Sequence, residues 1–284
     1  MKNILKKTLP PFIWNNARDT YYGFSHILCR IGPQTKTRNY CGFRLYYNCG
    51  NSIIDRLKFE PVFEKEMCEM IVFDLNKSKT PKMLDIGANI GFISLYVVSE
   101  VSAIKIYAFE PGLKQAGYFK KTIEANALSE RVVLNTFALS DSNGTQTFYS
   151  HPRRDMSKDG LKDTGRGERT VVTEVKTMTL DSWWKGVGMP NIDVVKIDTE
   201  GAELLILRCA KEFLAKVKPI IYLEIAPSNL KAYPYKVSDI LKYLGEAGYR
   251  LVTLSGELVT ADNLNELLVV NETFRAISDG QVAK

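Results

Sequence analysis

The run MLDIGANIGFISLY sets an acidic residue, Asp85, at the end of an apolar stretch, followed at once by a turn carrying Gly87 and Gly91 and then an apolar helix. Glycines at such a turn let a ligand approach the backbone, and the helix start offers unpaired N–H groups. A nucleotide-like ligand suits this arrangement. The dinucleotide fingerprint G-x-G-x-x-G, which cradles a pyrophosphate, is absent, because Gly87 is followed by Ala88 and Asn89. A carboxylate at Asp85 would repel a pyrophosphate but suits an amino-acid ammonium, directly or through water, so a ligand with a zwitterionic end is expected rather than NAD. A second acid, Glu110, closes the run KIYAFE 19 residues beyond Gly91. In α/β nucleotide sites an acid there accepts hydrogen bonds from ribose hydroxyls. In KIDTEGAE, Asp198 and Glu200 stand at the C-terminal edge of a third apolar run, with Glu203 just inside the next helix, where the helix dipole alone accounts for it. Two acids crowded at a strand end call for a ligand or a cation.

These residues must be held by alternating strands and helices. Strands are expected at 82–87, 105–110, 131–138, 193–198, 219–225 and 249–254, with a last apolar run, LLVV, at 267–270. Helices are expected at 60–75, 91–100, 112–127, 202–214 and 236–247. Short apolar strands between helices predict an α/β fold, a mostly parallel sheet with both faces covered. Residues 1–60 lack this rhythm and are rich in aromatic residues, with a hairpin around 40–49; they form an N-terminal lobe, leaving 61–284 as the nucleotide-binding domain. An insertion at about 145–178 carries two β-rich runs flanking HPRRDMSKDGLKDTGRGE, a polar stretch too long for an idle loop in a compact domain. His151, Arg153, Arg154 and Lys158 in it are candidates for an acceptor lid meeting phosphate or carboxylate groups. His26 is the other histidine of the chain.

Together LDIGANIGFISL, YAFEP and VVKIDTEGAELLIL resemble the FkbM family of S-adenosylmethionine-dependent methyltransferases, over about Ser52 to Val270. KIDTEGAE at 196–203 is the most specific part of the likeness. The resemblance implies a Rossmann-like class I fold, a seven-stranded sheet whose last strand is antiparallel, with S-adenosyl-L-methionine as cofactor. It implies cofactor contacts at Asp85, Gly87, Ala88, Asn89, Gly91, Glu110, Pro111 and Asp198, and adenine contacts at Ala138 and Ser140 in ALSDSNG. Such enzymes act on hydroxyls of sugars, glycans or secondary metabolites, so O-methylation is expected. In-line methyl transfer to a hydroxyl needs alignment and removal of a proton. Asp198, Glu200 and Glu224, at the end of the following strand, are the candidate carboxylate bases. No metal is expected, although Asp198 and Glu200 have the oxygen chemistry of a Mg²⁺ site.

Across 284 residues, 45% hydrophobic and 25% charged, the composition is that of a globular protein. A net charge of +6 mildly favours anionic partners, among them an anionic acceptor, but the basic residues are scattered and no base-flipping motif occurs, so nucleic acid is not expected. Five cysteines without a CxxC pair argue against disulfides and zinc and for a reducing, cytoplasmic setting. No stretch reaches a membrane span. Contact with a membrane is limited to a peripheral touch by Ile4, Leu5, Leu9, Phe12, Ile13 and Trp14. Two other classes compete: a cofactor-binding scaffold without turnover, opposed by the intact acids, and an NAD-dependent oxidoreductase, opposed by the missing glycine spacing. Neither the acceptor nor the oligomeric state follows from the sequence.

Overall fold

The computed structural model describes residues 35–49, 51–151, 158–165 and 170–278. The N-terminal residues 4–14 named above, His26, Arg153 and Arg154 lie outside them. The central sheet has seven strands: β3 (Lys82–Ile86), β4 (Lys105–Phe109), β5 (Val132–Asn135), β9 (Val194–Ile197), β10 (Ile220–Glu224), β11 (Tyr249–Thr253) and β12 (Thr273–Ser278). Their spatial order is β11-β12-β10-β9-β3-β4-β5. Neighbours from β10 to β5 pair parallel, whereas β12 runs antiparallel to both β10 and β11. This is the α/β architecture that the strand and helix alternation predicts, with the reversed last strand that the family resemblance implies.

The parallel strands are apolar on both faces because both faces are covered. Along β3 and β9 alternate residues serve two cores: Leu84, Ile86, Val195 and Ile197 enter one, Met83 and Val194 the other. The second core lies under the helix α2 (Lys65–Leu75), which contributes Met67, Cys68, Ile71 and Leu75. Strand periodicity therefore puts Asp85, Lys196, Asp198 and Glu224 on this α2 face. Before α2 come a hairpin, β1 (Thr35–Tyr40) and β2 (Phe43–Asn48), and a short helix α1 (Ser52–Arg56) capped by Asn51. The hairpin is fastened to α4 (Leu113–Ala125): the Tyr46 amide donates to Thr122 Oγ1 at 3.0 Å and the Arg44 amide to Asn126 Oδ1 at 2.9 Å. Helix α3 (Phe92–Glu100) follows the turn after β3.

Several expectations need correction. The run 131–138 is two strands, β5 in the main sheet and β6 (Ala138–Leu139) in a small sheet with β7 (Gly144–Ser150) and β8 (Val171–Met178), the expected insertion hairpin. The helix expected at 202–214 is α6 (Glu203–Arg208) and α7 (Lys211–Val217), and the unpredicted α5 (Leu180–Gly186) precedes β9. The apolar run 267–270 belongs to α10 (Leu264–Val270), not a strand: only Leu264 and Leu267 are buried, and β12 supplies the last strand. Between β10 and β11 lie α8 (Pro227–Leu230) and α9 (Val237–Glu246). Cys49 is disulfide-bonded, with its partner outside the described residues. That overturns the expectation of no disulfide and removes a support for a reducing setting; spacing in sequence says nothing about which thiols meet in space. Among the described residues no helix is long and apolar enough to cross a membrane.

Candidate active site

Strand order reverses between β4 and β9, which flank β3, and in open α/β sheets the ligand crevice lies at the carboxyl ends of the strands beside such a switch. A cavity of about 300 Å³ opens there. Gly87, Ala88, Asn89, Glu110 and Pro111 line its β3–β4 side, with Ala138 beyond them. Asp198, Glu200 and Glu224 line the β9–β10 side. Three residues singled out in the sequence, Asp85, Gly91 and Ser140, are not on its wall.

Each exception has a local cause. Asp85 is fully buried, accepts from Ser94 Oγ at 2.6 Å and lies 3.4 Å from Lys196 Nζ. It stands directly opposite Lys196 in the β3–β9 register, so it braces the strand ends from beneath the loop. Gly91 has φ +94°, and a Cβ there would meet the Phe119 ring at 2.2 Å. Gly87 has φ +79°, and its Cβ would fall 1.8 Å from the Asp198 carbonyl oxygen. Both glycines are demanded by protein packing, a reason the sequence reading attributed to the ligand alone. The Ser140 hydroxyl is buried against Asp141 and Gln146.

Glu110 is held with care. Its Oε2 accepts from the Asn89 amide at 2.9 Å and its Oε1 from the Gly112 amide at 2.7 Å. Burial nevertheless raises its pKa to about 7, against the lowering effect of those amides. Asn89 adopts a left-handed φ of 52°. The loop is thus bent back so that one amide points at the acid, leaving the remaining lone pairs of Glu110 for hydroxyl donors.

On the opposite side, Lys196 Nζ donates to the Gly87 carbonyl at 3.0 Å and lies 3.3 Å from Asp198. Burial alone would lower its pKa, but Asp198, Asp85, Glu64 and Glu224 outweigh that and raise it. Glu224 has its pKa raised well above 4.5, first by the charge of Asp198 and then by burial. Glu200, at φ 58°, accepts from Asn229 Nδ2 at 2.7 Å. Glu203 does more than answer a helix dipole: its Oε1 accepts from the Thr199 and Gly201 amides and from the Thr199 hydroxyl, tying down the TEG turn.

Other wall residues escaped the sequence reading. Ile53, Arg56, Phe63 and Glu64 come from the segment before and at the start of α2, and Glu272 from the turn into β12. From the insertion come Asp159, Gly160 and Leu161, beside Lys158, which the sequence reading names as a lid candidate. Asp159 accepts from Gln115 Nε2 at 2.6 Å and from the His151 amide at 2.7 Å, which fastens the insertion to α4. His151 is buried with its ring 3.2 Å from Asp159, away from the cavity wall, so the histidine of the expected lid is a support for it. Only the polarity of the insertion hinted at these contacts.

The family model described as "Methyltransferase FkbM domain" matches residues 85–251. The chain is 26% identical over 171 residues to the 2-O-methyltransferase NoeI of Sinorhizobium fredii, covering 56% of this chain and 69% of that protein. It is 26% identical over 163 residues to the methyltransferase sdnD of Sordaria araneosa, covering 48% of this chain and 63% of that one. The crystal structure of methyltransferase FkbM from Methylobacillus flagellatus superposes with a TM-score of 0.42 at 13% identity, over 61% of this chain and 39% of that one. With the matched segment holding the β3 loop, Glu110 and the KIDTEGAE turn in a single cavity, the chain belongs to the FkbM methyltransferase family.

Proposed function

We propose that this methyltransferase uses S-adenosyl-L-methionine to methylate a hydroxyl of a sugar, glycan or related small molecule. The observation that carries this reading is the pairing of Glu110 with the Asn89 amide at the rim of the cavity. It presents a carboxylate to a ribose diol at one end, while the carboxylates of β9 and β10 stand at the other. The residues fit the cofactor: backbone amides and Glu110 suit the nucleoside, and an acid-rich wall suits a ligand bearing a sulfonium and an ammonium. When bound, that cofactor supplies an electrophilic methyl group.

The protein's own share is alignment and proton removal. Of the three candidate bases, Asp198 is engaged by Lys196 and Glu200 by Asn229. Glu224 has its affinity for a proton raised by the charge of Asp198 and by burial, which suits a group that must take up a proton. We assign the base role to Glu224, with Asp198 setting its affinity for the proton. The similarity to NoeI, a 2-O-methyltransferase, supports oxygen as the atom methylated. Seven carboxylates face three cations on the described wall. A neutral hydroxyl acceptor fits that wall better than the anionic one the basic insertion suggested. Residues 1–60 act as an accessory lobe in this reading, bringing Ile53 and Arg56 to the cavity.

Calorimetric titration with S-adenosylmethionine, S-adenosylhomocysteine and NAD tests the cofactor. Both S-adenosyl ligands should bind the wild type and be weakened about 10-fold or more in Glu110→Ala, with NAD silent. Binding of NAD in place of the S-adenosyl ligands would sink the reading.

A further inference from the structure

The sequence assigns the ammonium of a zwitterionic ligand to Asp85, but Asp85 is sealed beneath the loop by Ser94 and Lys196. Some other carboxylate must meet that group. Most of those on the wall are already engaged: Glu110 by two amides, Asp159 by His151 and Gln115, Glu200 by Asn229, Asp198 by Lys196. Lys196 donates to the Gly87 carbonyl and lies 3.4 Å from Asp85 and 3.3 Å from Asp198.

Glu64 differs from all of these. It is partly buried and lines the cavity, yet its carboxylate has no hydrogen-bond or ion-pair partner among the described residues. It occupies the N-cap of α2, where a side chain normally turns back onto the first helical amides, and it makes no such bond. Its backbone is left-handed, at φ 48° and ψ 49°, a conformation rare for a residue with a side chain. The charged groups that face it are Asp198 and Lys196 from β9, Arg56 from α1, Glu272 ahead of β12 and Glu224 at the end of β10. Acids outnumber bases around it, so an anion is excluded and a cation is lacking. Burial, then the charge of Asp198, raise its pKa to about 7. An acid in that state is ready to ionise against an incoming ammonium.

We propose that Glu64 receives the α-ammonium of S-adenosylmethionine, so that the amino-acid end of the cofactor is held by a residue outside the segment matched to the methyltransferase family. The proposal rests on the cofactor assigned above. Arg56, on the same wall with its guanidinium 5.1 Å over the Phe63 ring, places a positive charge near the partner carboxylate of that end.

The test compares two ligands by calorimetry on the full chain: S-adenosylhomocysteine, and 5′-deoxy-5′-methylthioadenosine, which keeps the nucleoside and thioether but lacks the amino-acid end. Glu64→Gln should weaken S-adenosylhomocysteine about 10- to 100-fold, the loss expected for one charge-assisted hydrogen bond, and leave methylthioadenosine within about twofold. In the wild type, S-adenosylhomocysteine should lose more affinity than methylthioadenosine as the pH falls through about 7, because protonated Glu64 cannot hold an ammonium. Glu110 titrates in the same range but acts on both ligands. Equal affinity of wild type and Glu64→Gln for S-adenosylhomocysteine overturns the proposal and leaves the cofactor reading intact. Parallel loss of both ligands in the variant also overturns it, since Glu64 would then shape the cavity as a whole. Failure of wild type to bind either ligand strikes the cofactor reading itself.

Discussion

Glu110 and Glu224 are both glutamates at the ends of parallel strands, and their neighbours give them opposite tasks. Two backbone amides fix both oxygens of Glu110 and leave it a hydrogen-bond acceptor with a set direction. Glu224 meets Asp198, and mutual repulsion raises its affinity for a proton. If Glu224 is the base, Glu224→Gln should lower kcat about 10²- to 10⁴-fold with little change in cofactor affinity. The sign of the pH effect follows from the same shift. The ionised form is the active one, so wild-type kcat should fall as pH is lowered, with a midpoint above the 4.5 of an ordinary glutamate. A pH–rate profile of wild type and variant would reveal both; an unchanged kcat in the variant rejects the assignment.

At the scale of elements, the turn between β3 and α3 is set by contact with the KIDTEGAE turn after β9. Gly87 sits so close to Asp198 that an added Cβ would lie 1.8 Å from its carbonyl oxygen, and φ +79° is itself unfavourable for any other residue. Gly87→Ala should therefore cost about 2 kcal/mol or more of stability, from strain and overpacking together, and weaken cofactor binding by displacing the loop. Urea unfolding and calorimetry on one preparation check the two effects. The insertion acts on this level too, since Asp159 bridges it to Gln115 on α4 and brings Lys158 to Leu161 onto the wall.

Across the whole molecule, a buried network joins the beginning of the domain to its end. Arg275 on β12 donates to Asp74 on α2 at 2.8 Å, and Tyr222 on β10 donates its hydroxyl to the same carboxylate at 2.7 Å. Asp74 and Arg275 are both buried, and Lys77 Nζ also lies 2.6 Å from Asp74, so removal of Asp74 takes away the carboxylate that compensates the buried Arg275 charge. Asp74→Ala should destabilise the protein by about 3–5 kcal/mol, measurable by denaturant unfolding. The contact pins α2, and with it Glu64, over the ends of β9 and β10. A substitution remote from the cavity is thus expected to disturb it.

The local pattern of the chain determined much of this. Apolar runs separated by helical stretches specify a parallel sheet because buried strands and amphipathic helices have different periods, and DIGANIG, FEP and KIDTEGAE mark strand ends by their glycines and acids. Nine of the twelve candidate cofactor and base residues named from the sequence line the cavity. Where two segments meet was beyond such a reading. Asp85 looks like a ligand acid until the β3–β9 register sets Lys196 opposite it. Glu64 looks like an ordinary helix-start acid until α2 is laid over the α2 face of the sheet. The run at 267–270 is as apolar as a strand, and becomes a helix because the antiparallel place between β10 and β11 is taken by β12. Sequence specifies which residues are apolar, flexible or charged over a few positions. Pairings between residues more than a hundred positions apart, such as Asp74 with Arg275, depend on packing across the sheet, and only the tertiary structure decides them.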